Sequence, residues 1–351
     1  MKPSGNKPSL RHLSAVKPKL VRSAPQELIK QSFLRPDETT PLVIEPASDV
    51  DLLAWARSSR AFLEAKLLEH GALLFRNFKA PSPAEFENFI AAVSGPTLEY
   101  RERSSPRTSV SGNIYTSTEY PAHQAIFPHN ENSYAHAWPM KLFFLCLTPA
   151  AEGGETPIAD VRKVFRRIDP AILEKFSRLK VLYARNFSDL LGLTWQTVFQ
   201  TEDRADVEAY CRAAGYQAEW DAGNRLRTRR VGQAIAKHPN TGEPVWFNHA
   251  AFFHPSTLEP AVLDALRAQF DEGDFPNNTY YGDGSAIEPE TLDAIRDAYR
   301  REMVSFTWRK GDILMLDNML TAHARQPYKG PRRIVVGMSE PFDSRNVYGT
   351  G

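Results

Sequence analysis

Residues 127–149 read "FPHNENSYAHAWPMKLFFLCLTP" and join a polar, histidine-bearing stretch directly to a nearly continuous apolar run. The apolar run has the length of a strand, and its lack of alternation predicts that both faces are covered. In the polar stretch, residues two apart point to the same side of an extended backbone, so His129 and Glu131 can bind one ion together. A histidine nitrogen and a carboxylate suit a first-row metal such as Fe(II). The stretch therefore predicts two ligands of a metal site.

A third ligand candidate lies far along the chain, in "LDNMLTAHARQPYKGPRRIVV". His323 follows a predicted strand that ends in Leu-Asp-Asn. Two histidines and one carboxylate on one face of an octahedron leave three positions open, which is typical of oxygen-activating non-haem iron sites. The open positions would take a bidentate co-substrate and O2.

Two further residues are suited to bind the carboxylate of such a co-substrate. Thr156 follows the Gly153-Gly154 pair in "EGGETPIAD", and Arg333 opens the strand after His323. An arginine guanidinium is the preferred partner for planar, bidentate carboxylate recognition. Together with the metal ligands, these residues form a constellation more specific than any of its parts.

Bulk composition excludes several classes of partner. The chain has 351 residues, with 43 Lys+Arg against 42 Asp+Glu and a formal net charge of +1, so neither nucleic acid nor an anionic membrane is indicated. No apolar run reaches the roughly 18–20 residues of a membrane span, and the N-terminus lacks a secretory core. Two cysteines are too few for a disulfide framework or a cysteine zinc site. We expect a cytoplasmic protein.

The order of predicted elements indicates an α+β protein. Residues 1–26 are polar, basic and proline-containing, so we expect an extension that is either solvated or a docking arm for another protein. Residues 27–351 are predicted to form a single domain, whose β core is interrupted by a helical insertion at about 160–300 that also contains strands near "KVLYARNF" and "EPVWFNH". Two apolar runs around Lys310-Gly311-Asp312 predict a β-hairpin.

The ordered motifs HNE, GGETPIAD and DNMLTAHARQPYKGPRRI resemble the taurine dioxygenase/clavaminate synthase-like family of Fe(II)/2-oxoglutarate-dependent oxygenases. Thr156 lies 27 residues after His129, as that family expects. The resemblance extends from about Leu42 to Pro341. The segments "SSPRTSV", "HNENSY", "VFQTEDRADVEAYC" and "GDILMLDNM" look like the SyrP-like branch, whose members commonly accompany nonribosomal peptide assembly and hydroxylate amino-acid units.

The resemblance implies a double-stranded β-helix, a jelly-roll-like pair of sheets with flanking helices. It also implies Fe(II) bound by His129, Glu131 and His323, with Thr156 and Arg333 binding the distal carboxylate of 2-oxoglutarate, and O2 as the oxidant. Such an enzyme is a dioxygenase, here with a role in specialised metabolite or antibiotic biosynthesis.

Two departures from the family pattern bear on the reaction. The carboxylate ligand is Glu131 where Asp is commoner, and related halogenases have Ala or Gly there, so the residue favours hydroxylation over halogenation. Desaturation and oxidative cyclisation stay open. Four residues after Arg333, where taurine dioxygenase places a sulfonate-binding arginine, this chain has Gly337, which argues against taurine.

We expect hydroxylation of an unactivated carbon in an amino acid or an amino-acid-derived substrate, free or tethered to a carrier protein. The alternative class is a non-catalytic jelly-roll binding protein, which the intact ligand set disfavours. The sequence leaves oligomerisation open. Arg101, Arg103 and Arg107 are either ligands of an amino-acid carboxylate or solvated loop charges. The candidate substrate residues are Asn130, Asn132, Tyr134, Arg107, Arg325 and Asn248.

Overall fold

The computed structural model describes residues 25–99, 107–117, 120–221 and 223–345. The predicted tail of residues 1–26 falls almost wholly outside these ranges, as do Arg101 and Arg103. Within them, no helix combines the length and apolarity that crossing a membrane requires. The first helices are α1 (Leu52–Ser58), α2 (Arg60–His70) and α3 (Pro83–Ser94). The later helices are α4 (Val161–Arg167), α5 (Pro170–Leu179), α6 (Trp195–Phe199), α7 (Arg204–Ala214), α8 (Ala250–Phe253), α9 (Pro260–Arg267) and α10 (Pro289–Glu302).

The strands that precede α4 are β1 (Ile29–Phe33), β2 (Leu42–Pro46), β3 (Ala72–Phe75), β4 (Ser109–Ser111), β5 (Ile114–Thr116), β6 (Ile126–His129), β7 (Ala137–Thr148), β8 (Glu152–Gly153) and β9 (Ile158–Asp160). The remaining strands are β10 (Val181–Phe187), β11 (Gln217–Asp221), β12 (Arg225–Gly232), β13 (Ile235–Lys237), β14 (Pro244–Trp246), β15 (Asn277–Tyr281), β16 (Met303–Val304), β17 (Ile313–Asp317), β18 (Thr321–Arg325), β19 (Tyr328–Lys329) and β20 (Arg333–Asp343).

Strand β7 is the centre of the larger sheet, as its apolar run predicts. The described part of this sheet has the order β1-β2-β3-β17-β7-β20-β5-β4. Alternate side chains of β7 enter two different cores. Phe143 and Leu145 pack with helices α1 to α3, whereas Leu142 and Phe144 face residues such as Ile158. Both faces of β7 are therefore covered, and the prediction is confirmed.

The smaller sheet carries the candidate ligands. In the described residues its order is β16-β9-β18-β6, and the register places His323 of β18 opposite His129 of β6. Its strand β9 contributes Ile158 to the core shared with the larger sheet. Two facing sheets with flanking helices are what a jelly-roll requires, so the α+β fold class and the jelly-roll core are confirmed.

The stretch between β9 and β16 corresponds to the insertion predicted for about 160–300, and β10 and β14 are the strands predicted near "KVLYARNF" and "EPVWFNH". It contains α4 to α10, but also a separate antiparallel sheet of order β11-β12-β10-β15. Strand β10 shows a strict alternation of buried and half-buried residues, which is the pattern of a sheet covered mainly on one side. The insertion is therefore less helical than predicted, because it contains more strands than the two that the sequence indicates.

The hairpin predicted around Lys310-Gly311-Asp312 is wrong. β16 pairs with β9 in the smaller sheet, whereas β17 pairs with β3 and β7 in the larger one. Between them, Phe306 and Trp308 are buried in the core that the two sheets share. The segment therefore crosses from one sheet to the other, because burying two large aromatic side chains between the sheets outweighs a local turn signal.

Candidate active site

The three predicted ligands converge. One nitrogen from each of His129 and His323 and one carboxylate oxygen of Glu131 lie within 4.8 Å of one another, and all three residues are buried. His129 ends β6, Glu131 follows in a turn, and His323 lies beside His129 in the sheet. Strand pairing thus brings together ligands that are 192 residues apart in sequence, Glu131 and His323.

The protonation of the histidines fits a metal. His129 Nδ1 lies 2.9 Å from the carbonyl oxygen of Phe127, which assigns the proton to Nδ1 and leaves Nε2 as the donor atom. His323 Nδ1 is buried and has no hydrogen-bond partner among the described residues. Burial lowers the pKa of His129 and holds that of His323 well below its usual range, so both rings stay neutral and able to coordinate. This donor set fits Fe(II).

Asn318 fixes the backbone around Glu131. Its Oδ1 accepts from the Glu131 amide at 2.8 Å, and its Nδ2 donates to the carbonyls of Glu131 and Pro139 at 2.9 and 2.8 Å. Asn130 Nδ2 donates to the Asn318 carbonyl at 2.6 Å. The turn between β17 and β18 is thereby bonded to the turn that bears the carboxylate ligand. Sequence reasoning missed Asn318, although its place in the short turn between β17 and the His323 strand was a usable signal.

Arg107 contacts the carboxylate ligand rather than standing in a solvated loop. Its Nη2 donates to Glu131 Oε2 at 2.7 Å, and both side chains are almost completely buried. Because the partner is a proposed metal ligand, the arginine is placed to control that ligand.

Thr156 and a neighbouring arginine line the other end of the same cavity, which measures about 400 Å³ including its open mouth. Trp308 Nε1 donates to Thr156 Oγ1 at 3.0 Å, and Arg332 Nη2 lies 3.4 Å from the same hydroxyl. Arg332 Nε donates to the Gly154 carbonyl at 2.9 Å. Burial, and secondarily Arg325, lowers the pKa of Arg332 to about 10, so the guanidinium is still charged at neutral pH.

The structure places Arg333, which was predicted to bind the co-substrate carboxylate, away from the cavity. Arg333 is exposed, whereas Arg332 and Ile334 line the cavity. Arg332 lies directly before β20 and Arg333 begins it, and because side chains alternate along an extended chain, only one of these two adjacent arginines can face the site. The sequence motif "PRRI" presents both, and the register shift between Arg333 and Ile334 against β7 was not readable from it. Of the two adjacent arginines, the structure therefore brings Arg332 to the cavity.

The Gly153-Gly154 pair is tightly held rather than flexible. Both residues have left-handed backbone, with φ of 67° and 73°. A Cβ on Gly153 would lie 2.3 Å from the Pro327 carbonyl oxygen, and Gly154 N donates to that oxygen at 3.0 Å. Glycine is therefore required here for β8 to approach β19 and set the position of Thr156.

Most of the candidate substrate residues are engaged in the protein's own hydrogen bonds. Asn248 Nδ2 donates to the Ala234 carbonyl, and its Oδ1 accepts from the Ala250 amide. Tyr134 is buried against the rings of His249 and Phe253. These two side chains support the walls of the site.

Arg325 does line the cavity, but its guanidinium donates to the carbonyls of Tyr120, Pro121 and Gln124 at 2.6–2.9 Å. It therefore holds the chain that leads into β6. Asn130 is fully buried and bonded to Asn318, and Asn132 lines a separate groove beside Trp138. The structure thus places Arg107 and Arg325, of the six candidates, on the metal cavity.

Comparisons with known proteins agree with this site. The family model described as "Taurine catabolism dioxygenase TauD, TfdA family" matches residues 37–339, so the chain belongs to this family. It is accordingly a dioxygenase that uses Fe(II), 2-oxoglutarate and O2.

Among curated relatives, the chain is 38% identical over 275 residues to the dapdiamide synthesis protein DdaC of Enterobacter agglomerans, covering 78% of this chain and 84% of that protein. It is 29% identical over 297 residues to a clavaminate synthase-like protein of Arabidopsis thaliana, covering 80% and 85%.

A solved structure of similar fold is PvcB, an Fe, alpha-ketoglutarate dependent oxygenase from an isonitrile synthetic pathway. The TM-score is 0.54 at 15% identity, covering 93% of this chain and 97% of that one. PvcB from Pseudomonas aeruginosa gives a TM-score of 0.55 at 16% identity, covering 89% and 91%. These similarities bear on the fold alone.

Proposed function

From this family membership, we propose that His129, Glu131 and His323 bind the Fe(II) and that Thr156 and Arg332 bind the distal carboxylate of 2-oxoglutarate. The observation that carries the proposal is the buried cluster of three ligand atoms within 4.8 Å of one another. The two histidines of this cluster line one cavity with Thr156 and Arg332. A dianion that chelates the metal at one end would find a hydroxyl and a guanidinium at the other.

Bound iron supplies the oxidising power that an unactivated C–H bond requires, and the protein supplies orientation and shelter. The chain's own contribution is visible in the cavity wall. Phe252 stacks on His129 with ring centroids 4.5 Å apart, and Phe144 lies 5.1 Å from the His323 ring. These rings fix the planes of the ligands and keep bulk water from them.

We propose that the substrate is an amino acid or an amino-acid derivative, free or carrier-bound, that is hydroxylated in specialised metabolite biosynthesis. Support comes from the 38% identity to a protein named for dapdiamide synthesis. Taurine is a disfavoured substrate, because taurine dioxygenase has a sulfonate-binding arginine four residues after its 2-oxoglutarate arginine. Counted from Arg332 or from Arg333, the corresponding residue here is Val336 or Gly337. Neither can bind a sulfonate. We also propose that the protein is cytoplasmic.

The test begins without turnover. Anaerobic protein is titrated with Fe(II) and then 2-oxoglutarate, and the visible metal-to-ligand charge-transfer band is recorded. We expect the band in wild type and its loss in His129→Ala. A candidate substrate that enters the site should shift the band.

The second step admits O2 and measures succinate across a panel of amino acids and carrier-bound thioesters. Wild type should exceed His129→Ala with the true substrate, and the product should gain one oxygen atom. Loss of two hydrogens would instead identify desaturation or ring formation. Wild type that formed no charge-transfer band and no succinate above the variant would overturn the proposal.

A further inference from the structure

Arg107 makes a contact that a substrate ligand would not need. Its Nη2 lies 2.7 Å from Glu131 Oε2, and the side chains of the two residues are only 3% and 2% exposed. Arg107 lies two residues before β4 and 24 residues before Glu131 in the sequence. Its side chain lines the same cavity as His129 and His323. A charge buried this deeply is normally retained only where it is paired.

We propose that Arg107 is a positioning residue that holds Oε2 of Glu131 and thereby fixes the orientation in which the carboxylate meets the metal. The inference rests on Glu131 being an iron ligand, as proposed above. It reassigns Arg107 from the recognition of substrate to the control of the metal site. It also supplies a reason why this site functions with the longer carboxylate.

Glutamate needs such a partner more than aspartate does. The Glu131 backbone is fixed by Asn318 through two hydrogen bonds of 2.8 and 2.9 Å. Beyond the backbone, glutamate has one more side-chain torsion than aspartate, and its terminal torsion is broad and weakly restricted. The bond from Arg107 removes that freedom by fixing Oε2. The carboxylate then meets the metal in one orientation, and a set of three protein ligands keeps further coordination positions open for the co-substrate.

A positioning role for Arg107 and simple electrostatic repulsion predict opposite changes in metal affinity when the arginine is removed. Arg107 is a positive charge next to a cation site, so by Coulomb repulsion alone its removal should strengthen metal binding. If Arg107 positions the ligand, its removal should weaken metal binding, since partners of metal ligands typically contribute 10- to 100-fold in affinity. The direction of the change therefore decides between the two.

The experiment measures anaerobic Co(II) binding by calorimetry, together with the visible spectrum of the Co(II) protein, in the full chain without substrate. We expect Arg107→Met to weaken Co(II) binding by about 10- to 100-fold. Arg107→Lys, which keeps the charge but has no planar fork, should lose less affinity and still change the spectrum. Arg76→Met is the matched control, because it removes another buried arginine that pairs with a carboxylate, Asp312 at 2.6 Å, but does not line the cavity; its affinity should not fall.

The same substitution made in a Glu131→Asp variant distinguishes loss of positioning from a general loss of structure. In the Glu131→Asp background the carboxylate is withdrawn from Arg107 by one methylene, so adding Arg107→Met should cost much less metal affinity than it does in wild type. An equal cost in both backgrounds, or Co(II) binding by Arg107→Met as tight as wild type, overturns the inference. Wild type that binds no Co(II) would instead overturn the proposed metal site itself.

Discussion

The two ends of the cavity are built differently. At the metal end, His129 and Glu131 contact their neighbours at 2.7–2.9 Å, through Phe127, Arg107 and Asn318. At the opposite end, the Arg332 guanidinium reaches the hydroxyls of Ser117 and Thr156 only at 3.4 Å, although its Nε is firmly bonded to Gly154. His129 and Glu131 at the metal end are therefore held by short hydrogen bonds, whereas the guanidinium at the opposite end makes only long contacts to these hydroxyls and can still bind a ligand.

This difference follows from what each end must bind. A metal ion needs a small set of donors held at fixed separations, and misplacing any one of them costs affinity. A carboxylate brings its own acceptors, so a guanidinium that is only loosely held can tighten onto it when it arrives. We therefore expect substitutions at the metal end to affect metal binding, and those at the arginine end to affect only 2-oxoglutarate.

The largest effect should follow removal of a ligand. His323→Ala should lower Co(II) or Fe(II) affinity by more than the roughly 10- to 100-fold that partners of ligands contribute, because one of three protein donors is lost. His136→Ala is the matched control, since His136 is also buried but lies outside the cluster, with its Nε2 4.0 Å from Asp343. Calorimetry under anaerobic conditions checks both. Metal binding by His323→Ala as tight as wild type would remove it from the ligand set.

The next effect separates two adjacent arginines. Arg332→Met should weaken 2-oxoglutarate binding by about 10- to 100-fold, the equivalent of one lost charge-assisted hydrogen bond. Arg333→Met should bind like wild type, because Arg333 is exposed on the other side of β20. Titration of the charge-transfer band with 2-oxoglutarate measures both. The reverse result would restore the assignment to Arg333.

Some residues of this site can be identified from residue type and spacing in the sequence, whereas others require the register of the strands. His129, Glu131 and His323 could be named because a histidine–carboxylate pair two residues apart and a distant histidine form a pattern of chemical types. Choosing Arg332 over Arg333 required the register of β20 against β7, including its shift after Arg333. A one-residue change of register reverses which side chains face the core, and no local pattern shows it.

The fold shows the same division. The buried strand β7 and the capping box of α3, with Ser82 and Glu85 bonded reciprocally, follow from local signals and were predictable. The crossing between β16 and β17 was not, because Phe306 and Trp308 are buried by residues distant in sequence. The ion pair of Arg107 and Glu131 belongs to this second group, since it joins a loop to a ligand turn.

A moderate effect should follow loss of the Asn318 side chain, which tests whether the metal end is in place because of its hydrogen bonds. Asn318→Ala removes three of them at Glu131 and Pro139. We expect metal affinity to fall by about tenfold and the free energy of unfolding by about 2–4 kcal/mol. Urea unfolding and calorimetry measure these. Asn130→Ala is the comparison variant, because it leaves all three bonds intact; an equal loss of metal affinity there would contradict the role of Asn318.

The smallest effect belongs to the hydroxyl at the arginine end. Trp308→Phe keeps the packing against Phe306 but removes the 3.0 Å bond from the indole nitrogen to Thr156 Oγ1. Since a neutral hydrogen bond contributes about 0.5–1.5 kcal/mol, 2-oxoglutarate binding should weaken about two- to tenfold, with metal affinity unchanged. In the Thr156→Val background the acceptor is already gone, so Trp308→Phe should add no further loss. A fall in metal affinity in either variant would show that the two ends of the cavity are coupled, and would break the division between them.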